Sequence, residues 1–375
     1  LSSMVLVTLV GAASIYAGKK DYLVSAAPHD YSVTGTNVDL TNTQKVMSDF
    51  LAQSGNQVNE KTEVTYLYFG IKEQEKNKLT IFSENERKVL PKSIFLVFSQ
   101  ATYKQLTGKN LNLASNQVGL FTKNKTLKSQ KSLSVNGQTY QIQDALNDFI
   151  KGKVPNIFTI IVSDYNYLVV PDMDNFKESI KGTATTQATY IGINVKDPSH
   201  DAKKNSDLLD ELTDKETQQL AGQTTGVPES YLTANSRYDT EGMLNGFVGG
   251  TFFIGIFLSI IFMLGTVLVI YYKQISEGYE DRERFVILQK IGLDDQQVKK
   301  TIRKQVLTVF FLPLIFAITH LAFAYHMISL IVRVIGVLNP DLMLMVTIIV
   351  CGVFFLAYVL VFTLTSRSYR RIVSM

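Results

Sequence analysis

Apolar positions along this chain follow two patterns. In residues 4–17 and from residue 246 onward they come in long unbroken runs, whereas between residues 19 and 239 they alternate with polar ones. A bilayer core about 30 Å thick takes about 20 apolar residues in a helix. Three runs reach that length: 246–272 (GFVGGTFFIGIFLSIIFMLGTVLVIYY, without a charge), 306–332, interrupted only by Pro313, His320 and His326, and 342–365. The run at 4–17 is shorter and rich in Gly, Ala and Ser. Its small residues near Ser14 to Ala17 resemble a signal-peptide cleavage site, but no basic residue precedes it and the chain opens on Leu1. It therefore reads as a membrane span in a chain cut from something longer.

The alternating stretch predicts short strands at 62–71 (TEVTYLYFGI), 79–82, 94–98, 158–162, 167–170 and 188–195, all rich in β-branched and aromatic residues. Residues 133–142 (LSVNGQTYQI) predict a hairpin, because Asn136-Gly137 supplies the two positive φ angles of a type I′ turn. Helices are predicted at 43–53, 100–106 and 200–220. The expected architecture is an α-helical membrane protein of four transmembrane helices with a large inserted α+β extracellular domain. Its segments are a span at 1–18, the domain at 19–240, a span at 241–272, a cytoplasmic loop at 273–304, spans at 305–332 and 342–366 joined by an extracellular loop at 333–341, and a cytoplasmic tail at 367–375.

Charge sharpens this division. Of 37 basic and 33 acidic residues, 25 of each lie within 19–239, so the net +4 comes entirely from the apolar remainder. So mild a surplus does not mark a nucleic-acid partner, and long spans exclude a wholly soluble enzyme. The short segments around the spans set the orientation, since Lys and Arg concentrate on the cytoplasmic side. Residues 273–304 hold Lys273, Arg282, Arg284, Lys290, Lys299, Lys300, Arg303 and Lys304, and the tail holds Arg367, Arg370 and Arg371. The loop between the last two spans has only Arg333, opposed by Asp341. Loop and tail are thus expected in the cytoplasm of a plasma-membrane protein, and the polar domain outside. Lys19 and Lys20 sit against the rule.

Candidate chemistry is sparse. The one cysteine, Cys351, excludes an intrachain disulfide and a cysteine-rich metal site. His29 and His200 stand isolated and are expected to face solvent. Asp207, Asp210, Glu211 and Asp214 read as the solvated face of a helix that also carries Leu208, Leu209 and Leu212. No nucleophile motif, zinc-protease motif or Gly-x-x-x-x-Gly-Lys-[Ser/Thr] loop occurs, so any ATP and Mg must be held by a partner subunit. Lys123, Lys125, Lys128 and Lys131, with no acid among them, read first as a solvated loop. Their alternative is contact with a pyrophosphate or anionic headgroup. His320 and His326 are the titratable groups well inside a span. They read first as helix–helix hydrogen-bond partners and second as functional groups. Gly246, Gly250, Gly255 and Ser259 offer small surfaces for close helix packing, and Pro313 a hinge.

The cytoplasmic loop is the most informative stretch. In YKQISEGYEDRERFVILQKIGLDDQQVKKTIRK, Ile275, Tyr279, Val286 and, around the face, Phe285, Leu288 and Ile291 recur at helical spacing. Gly292 fits the residue after a helix end, and Asp294 a cap for the next helix, which runs into the following span. The expected form is a short amphipathic helix beneath the membrane, then a tight turn. A headgroup-layer helix, inert packing and docking in a cytoplasmic partner all remain open, though mixed charge disfavours the first.

This run, with its Glu-containing helix ending at a Gly, resembles the loop of FtsX/MacB-like ABC-transporter permeases. It is most similar to the bacitracin- and antimicrobial-peptide-resistance permeases of Gram-positive bacteria. The order of span, large domain and three spans resembles the FtsX-type module over the whole chain, whereas bacitracin-type permeases have about ten spans. The resemblance implies a non-enzymatic subunit that passes force outward. A separate cytoplasmic ATPase dimer would grip Glu280, Arg284, Phe285, Leu288, Ile291 and Gly292. The extracellular side would meet a peptide antibiotic or a lipid-linked cell-wall precursor, with a sensor histidine kinase as a further partner. The alternative within the same superfamily is lipoprotein release or activation of a wall hydrolase.

Overall fold

A computed structural model describes residues 1–86, 91, 93–155, 164–221, 230–290, 295–334 and 339–373. The chain divides into two compact units, Leu1–Lys20 with Leu244–Met375, and Asp21–Met243.

The second unit is the polar domain. Its sheet comprises β1 (Tyr31–Thr36), β2 (Val58–Glu75), β3 (Lys78–Ile81), β4 (Ser93–Ser99), β5 (Gln117–Thr122), β6 (Ser132–Val135), β7 (Gln138–Ala145), β8 (Asp164–Val170), β9 (Thr185–Val195) and β10 (Tyr231–Ser236). They are hydrogen-bonded in the order β10-β1-β9-β2-β3-β6-β7-β5-β8-β4, and β4 also pairs with β2. That extra pairing closes β2, β3, β6, β7, β5, β8 and β4 into a ring. The length of β2 makes this possible. Its first half runs antiparallel to β9, with Val64 opposite Tyr190, and its second half reaches β4, with Phe69 opposite Phe95.

Alternation along these strands divides the core. Leu67, Phe69 and Ile71 of β2 join Phe95, Val97, Leu168 and Val170 and residues from every other ring strand in one cluster, the ring's interior. The intervening Val64 and Tyr66 join Ile94, Leu96, Phe98, Tyr167 and Tyr190 on the opposite face, as a period of two requires. Helix α3 (Gln100–Thr107) covers that face with Tyr103 and Leu106; Ser99 caps it by accepting the Thr102 N–H, and Gly108 ends it at φ 72°. Beyond the ring, α2 (Leu40–Ser54) and a long helix at 202–221 pack on β10, β1 and β9, burying Val46, Phe50, Ile193 and Leu209. One-turn helix α4 (Lys125–Lys128) and α5 (Met173–Ser179) complete the domain, the long helix being α6 (Ala202–Ala221).

The predicted hairpin forms, with Asn136 at φ 49° and Gly137 at φ 92°. Strands β1, β5 and β10 were not anticipated: each has six residues, with Gly, Asn, Ser or Thr diluting the apolar signal. The predicted strand at 158–162 lies outside the described residues.

Among the described residues, four helices are long and apolar enough to cross a membrane. They belong to α1 (Ser2–Ala26), α7 (Arg237–Lys290), α8 (Asp295–Val334) and α9 (Pro340–Val373). α1 continues through Lys19 and Lys20. α7 corrects the expectation of a separate amphipathic helix, because its 54 residues run unbroken from the apolar span through the charged stretch. The onset of charge changes what a helix faces, but no proline interrupts the backbone ladder there, so the helix continues. α8 likewise passes through Pro313 while remaining helical.

Candidate functional site

Within the polar domain, a polar cluster forms where α1 ends and α7 begins. The last carbonyls of a helix have no intrahelical donors. Here the far end of the domain supplies them: Asn235 Nδ2 donates to Ala26 O at 3.2 Å, and Arg237 Nε donates to Ala27 O at 3.1 Å. Arg237 Nη2 also donates to Pro28 O, and its Nη1 lies 3.1 Å from Asp30 Oδ1. The guanidinium charge additionally complements the negative end of the α1 dipole. Asp30 is 9% exposed on its side chain, and its second oxygen accepts the Val195 N–H at 3.0 Å. Removing the guanidinium would leave a nearly buried carboxylate unpaired, a loss of about 3–5 kcal/mol.

On the same junction, Ser236 caps the start of α7. Its Oγ accepts the Asp239 N–H at 3.1 Å and donates to Asp239 Oδ2 at 2.9 Å, Asp239 standing at the third helical position. Ser206 of α6 donates to Ser236 Oγ at 2.7 Å, tying a third element to it.

His29 completes the cluster and corrects the solvent-facing expectation: it is 3% exposed. Its Nδ1 lies 2.8 Å from Tyr190 Oη and its Nε2 3.1 Å from Thr62 Oγ1. Burial lowers its pKa, Arg237 adds in the same direction, and Glu60 and Asp30 oppose. Gly192 makes room for the ring, since a Cβ there would sit 2.4 Å from His29 Nδ1. His200, by contrast, is 73% exposed on its side chain.

Within the first unit, α1 and α7 meet along small residues. Thr8 Oγ1 lies 3.0 Å from Ser259 Oγ, a Cβ on Gly255 would fall 2.3 Å from Ala12 Cβ, and Tyr16 stacks on Phe252 at 4.6 Å. Gly255 and Ser259 therefore pack as the spacing predicts. Gly246 and Gly250 face open space.

The other predicted residues are not drawn together. Glu280 is exposed near the end of α7; Arg284, Phe285 and Leu288 lie on the same helix by backbone, with side chains outside the described residues, as are Ile291 and Gly292. Lys123, Lys125, Lys128 and Lys131 are all exposed. Lys123 caps the ring of Tyr165 at 4.6 Å and donates to its hydroxyl at 2.5 Å, so it serves the domain surface as well as solvent. His320 and His326 are exposed on α8. Asp207, Asp210, Glu211 and Asp214 form an exposed face of α6 as expected. Sequence reasoning missed the Arg237 cluster, although Ser236-Arg-Tyr-Asp239 could have marked a helix start.

Comparison with known proteins concerns parts of the chain. Residues 256–373 match the FtsX-like permease C-terminal family, and over parts of its length the chain is similar to ABC-transporter permeases. Among particular relatives, all from Bacillus subtilis (strain 168), the ABC transporter permease protein YxdM is 32% identical over 20% of this chain and 12% of its own length. The bacitracin export permease protein BceB is 28% identical over 37% of this chain and 19% of its own. YvcS, an uncharacterized ABC transporter permease, is 29% identical over 32% and 18% respectively. The matched part spans less than a fifth of each of these relatives.

Proposed function

We propose that this chain is the permease subunit of an ATP-driven transporter that protects against, and senses, antimicrobial peptides of the bacitracin kind. The match of residues 256–373 to FtsX-like permeases carries the reading, and the similarity to a bacitracin export permease gives it direction. In this reading residues 273–304 are cytoplasmic and the polar domain is extracellular, following the excess of Lys and Arg in that segment. A separate ABC ATPase dimer, holding ATP and Mg, engages α7 around Glu280, Arg284, Phe285 and Leu288, together with Ile291 and Gly292. Positions 280, 284 and 288 recur every four residues and so share one helix face. Because that face belongs to the same helix as a membrane span, a push on it enters the membrane without an intervening joint. The domain outside then acts on a peptide antibiotic or its lipid-linked cell-wall target, and a sensor histidine kinase reads the outcome.

Affinity purification of the full chain from its host, with eluates assayed for ATP hydrolysis, tests this. Wild type is expected to bring down an ABC ATPase, and Phe285→Asp with Leu288→Asp to recover about tenfold less, since charges replace apolar anchors of a docked helix. Equal recovery from both sinks the docking surface. Deleting the chain should also sensitise cells to bacitracin. Unchanged sensitivity, with binding to a wall hydrolase instead, moves it to the hydrolase-activating branch.

A further inference from the structure

We propose that Arg237 is a latch that makes the end of α1 and the start of α7 move as one body with the β10-β1-β9 end of the sheet. The inference rests on the permease reading, in which these helices carry mechanical work.

The two junctions are built differently. On one side β10 ends at Ser236 and α7 begins at Arg237, so no residue intervenes and the joint is stiff by construction. On the other, α1 ends at Ala26 and β1 begins at Tyr31. The connection 27–30 belongs to no helix or strand. Left alone, such a segment is a hinge, and a shift of α1 would be absorbed there.

Each of its residues is instead held. Arg237 takes the carbonyls of Ala27 and Pro28 and the carboxylate of Asp30 with its side chain, and its backbone N–H donates to Asp30 O at 2.9 Å. Tyr190 and Thr62 hold His29 from β9 and β2. Asp30 passes the grip on, since its N–H donates to Asn194 Oδ1 at 3.1 Å and its carboxylate accepts from Val195. One guanidinium, whose planar fork presents five donors in fixed directions, thus ties residues 27–30 and the end of α1 to the sheet. Because the β10 side needs no latch, loss of Arg237 should free the α1 side alone.

Hydrogen exchange on the full chain in lipid nanodiscs with its ATPase, with and without ATP, tests this. In Arg237→Gln the amide of Val195 should exchange about tenfold faster, while amides of Tyr190 and of β10 keep wild-type protection. The ATPase should still co-purify. An ATP-dependent change in protection of β1 and β9, present in wild type, should vanish, and Arg237→Lys should retain part of it. Should Arg237→Gln not fold, Arg237→Lys, which leaves Asp30 and its bond from Val195 in place, is read instead, with faster Val195 exchange and a weakened ATP response expected. Unaltered Val195 exchange overturns the latch, and so does faster exchange with the ATP response intact. A wild type that neither binds an ATPase nor responds to ATP removes the permease reading, and the latch with it.

Discussion

Phenylalanine meets opposite fates in the two units. In the polar domain Phe95 and Phe98 are fully buried, whereas in the helical unit Phe253 is 68% exposed and Phe323 84%. The residue type is the same and the solvent differs. In water, apolar surface is driven inward, and the domain's cohesion comes from that burial. Among lipid tails the outer apolar face is already at home, so helices hold together through close packing of small residues and short polar contacts. The Thr8, Ala12, Gly255 and Ser259 seam is of that kind. A large residue stabilises one unit by being hidden, and a missing side chain stabilises the other by allowing approach.

Three measurements test that contrast. Phe98 touches Tyr66, Phe149 and Tyr167 with ring centroids 5.3 to 6.3 Å away. Phe98→Ala should therefore cost the domain about 3–5 kcal/mol in thermal unfolding, and Phe323→Ala less than about 0.5 kcal/mol in the same assay. Equal losses would mean that the helical unit is held by the same force. Next in size, Gly255→Val should weaken the α1–α7 seam by about 1–3 kcal/mol through overpacking. Disulfide trapping between cysteines placed at Thr8 and Ser259, in a Cys351→Ser background, would report it as lower yield. Gly250→Val, with open space around it, should leave the yield unchanged.

The smallest effect is a pH dependence confined to the polar domain. Burial depresses the His29 pKa in the folded state, so the unfolded chain binds the proton more tightly. Stability is then full above the ordinary histidine value of about 6.5 and declines as pH falls below it, down to the folded value. Urea unfolding between pH 7.5 and 5 should show this decline, and His29→Gln should flatten it. A decline that persists in the variant would assign it to carboxylates.

How much of this was legible depended on distance along the chain. The hairpin at Asn136-Gly137 and the helix bounded by Ser99 and Gly108 are specified by neighbouring residues, and the sequence carried them openly. The membrane runs were equally plain, because uninterrupted apolarity over 20 residues has few other uses. His29 was misjudged because its partners Thr62 and Tyr190 lie 33 and 161 residues away. Arg237 escaped for the same reason, reaching across more than 200 residues to Ala27. The ring closure rests on β2 pairing with β3, β4 and β9 in turn, and no local pattern announces that one strand has three partners. For α7, periodicity and charge carried no information about whether the backbone stops.

Ring closure has a further effect. Both long sides of β4 are occupied, by β2 and β8, so among the described strands the open end of the order is β10, six residues long, with Tyr231 and Thr233 exposed and the Leu232 N–H taken by Thr217 Oγ1 at 3.0 Å. Open strand margins are templates on which neighbouring copies stack into aggregates. A protein crowded in a membrane plane, where copies meet far more often than in solution, gains when the open margin among the described strands is one short, partly polar strand already bonded in part by Thr217.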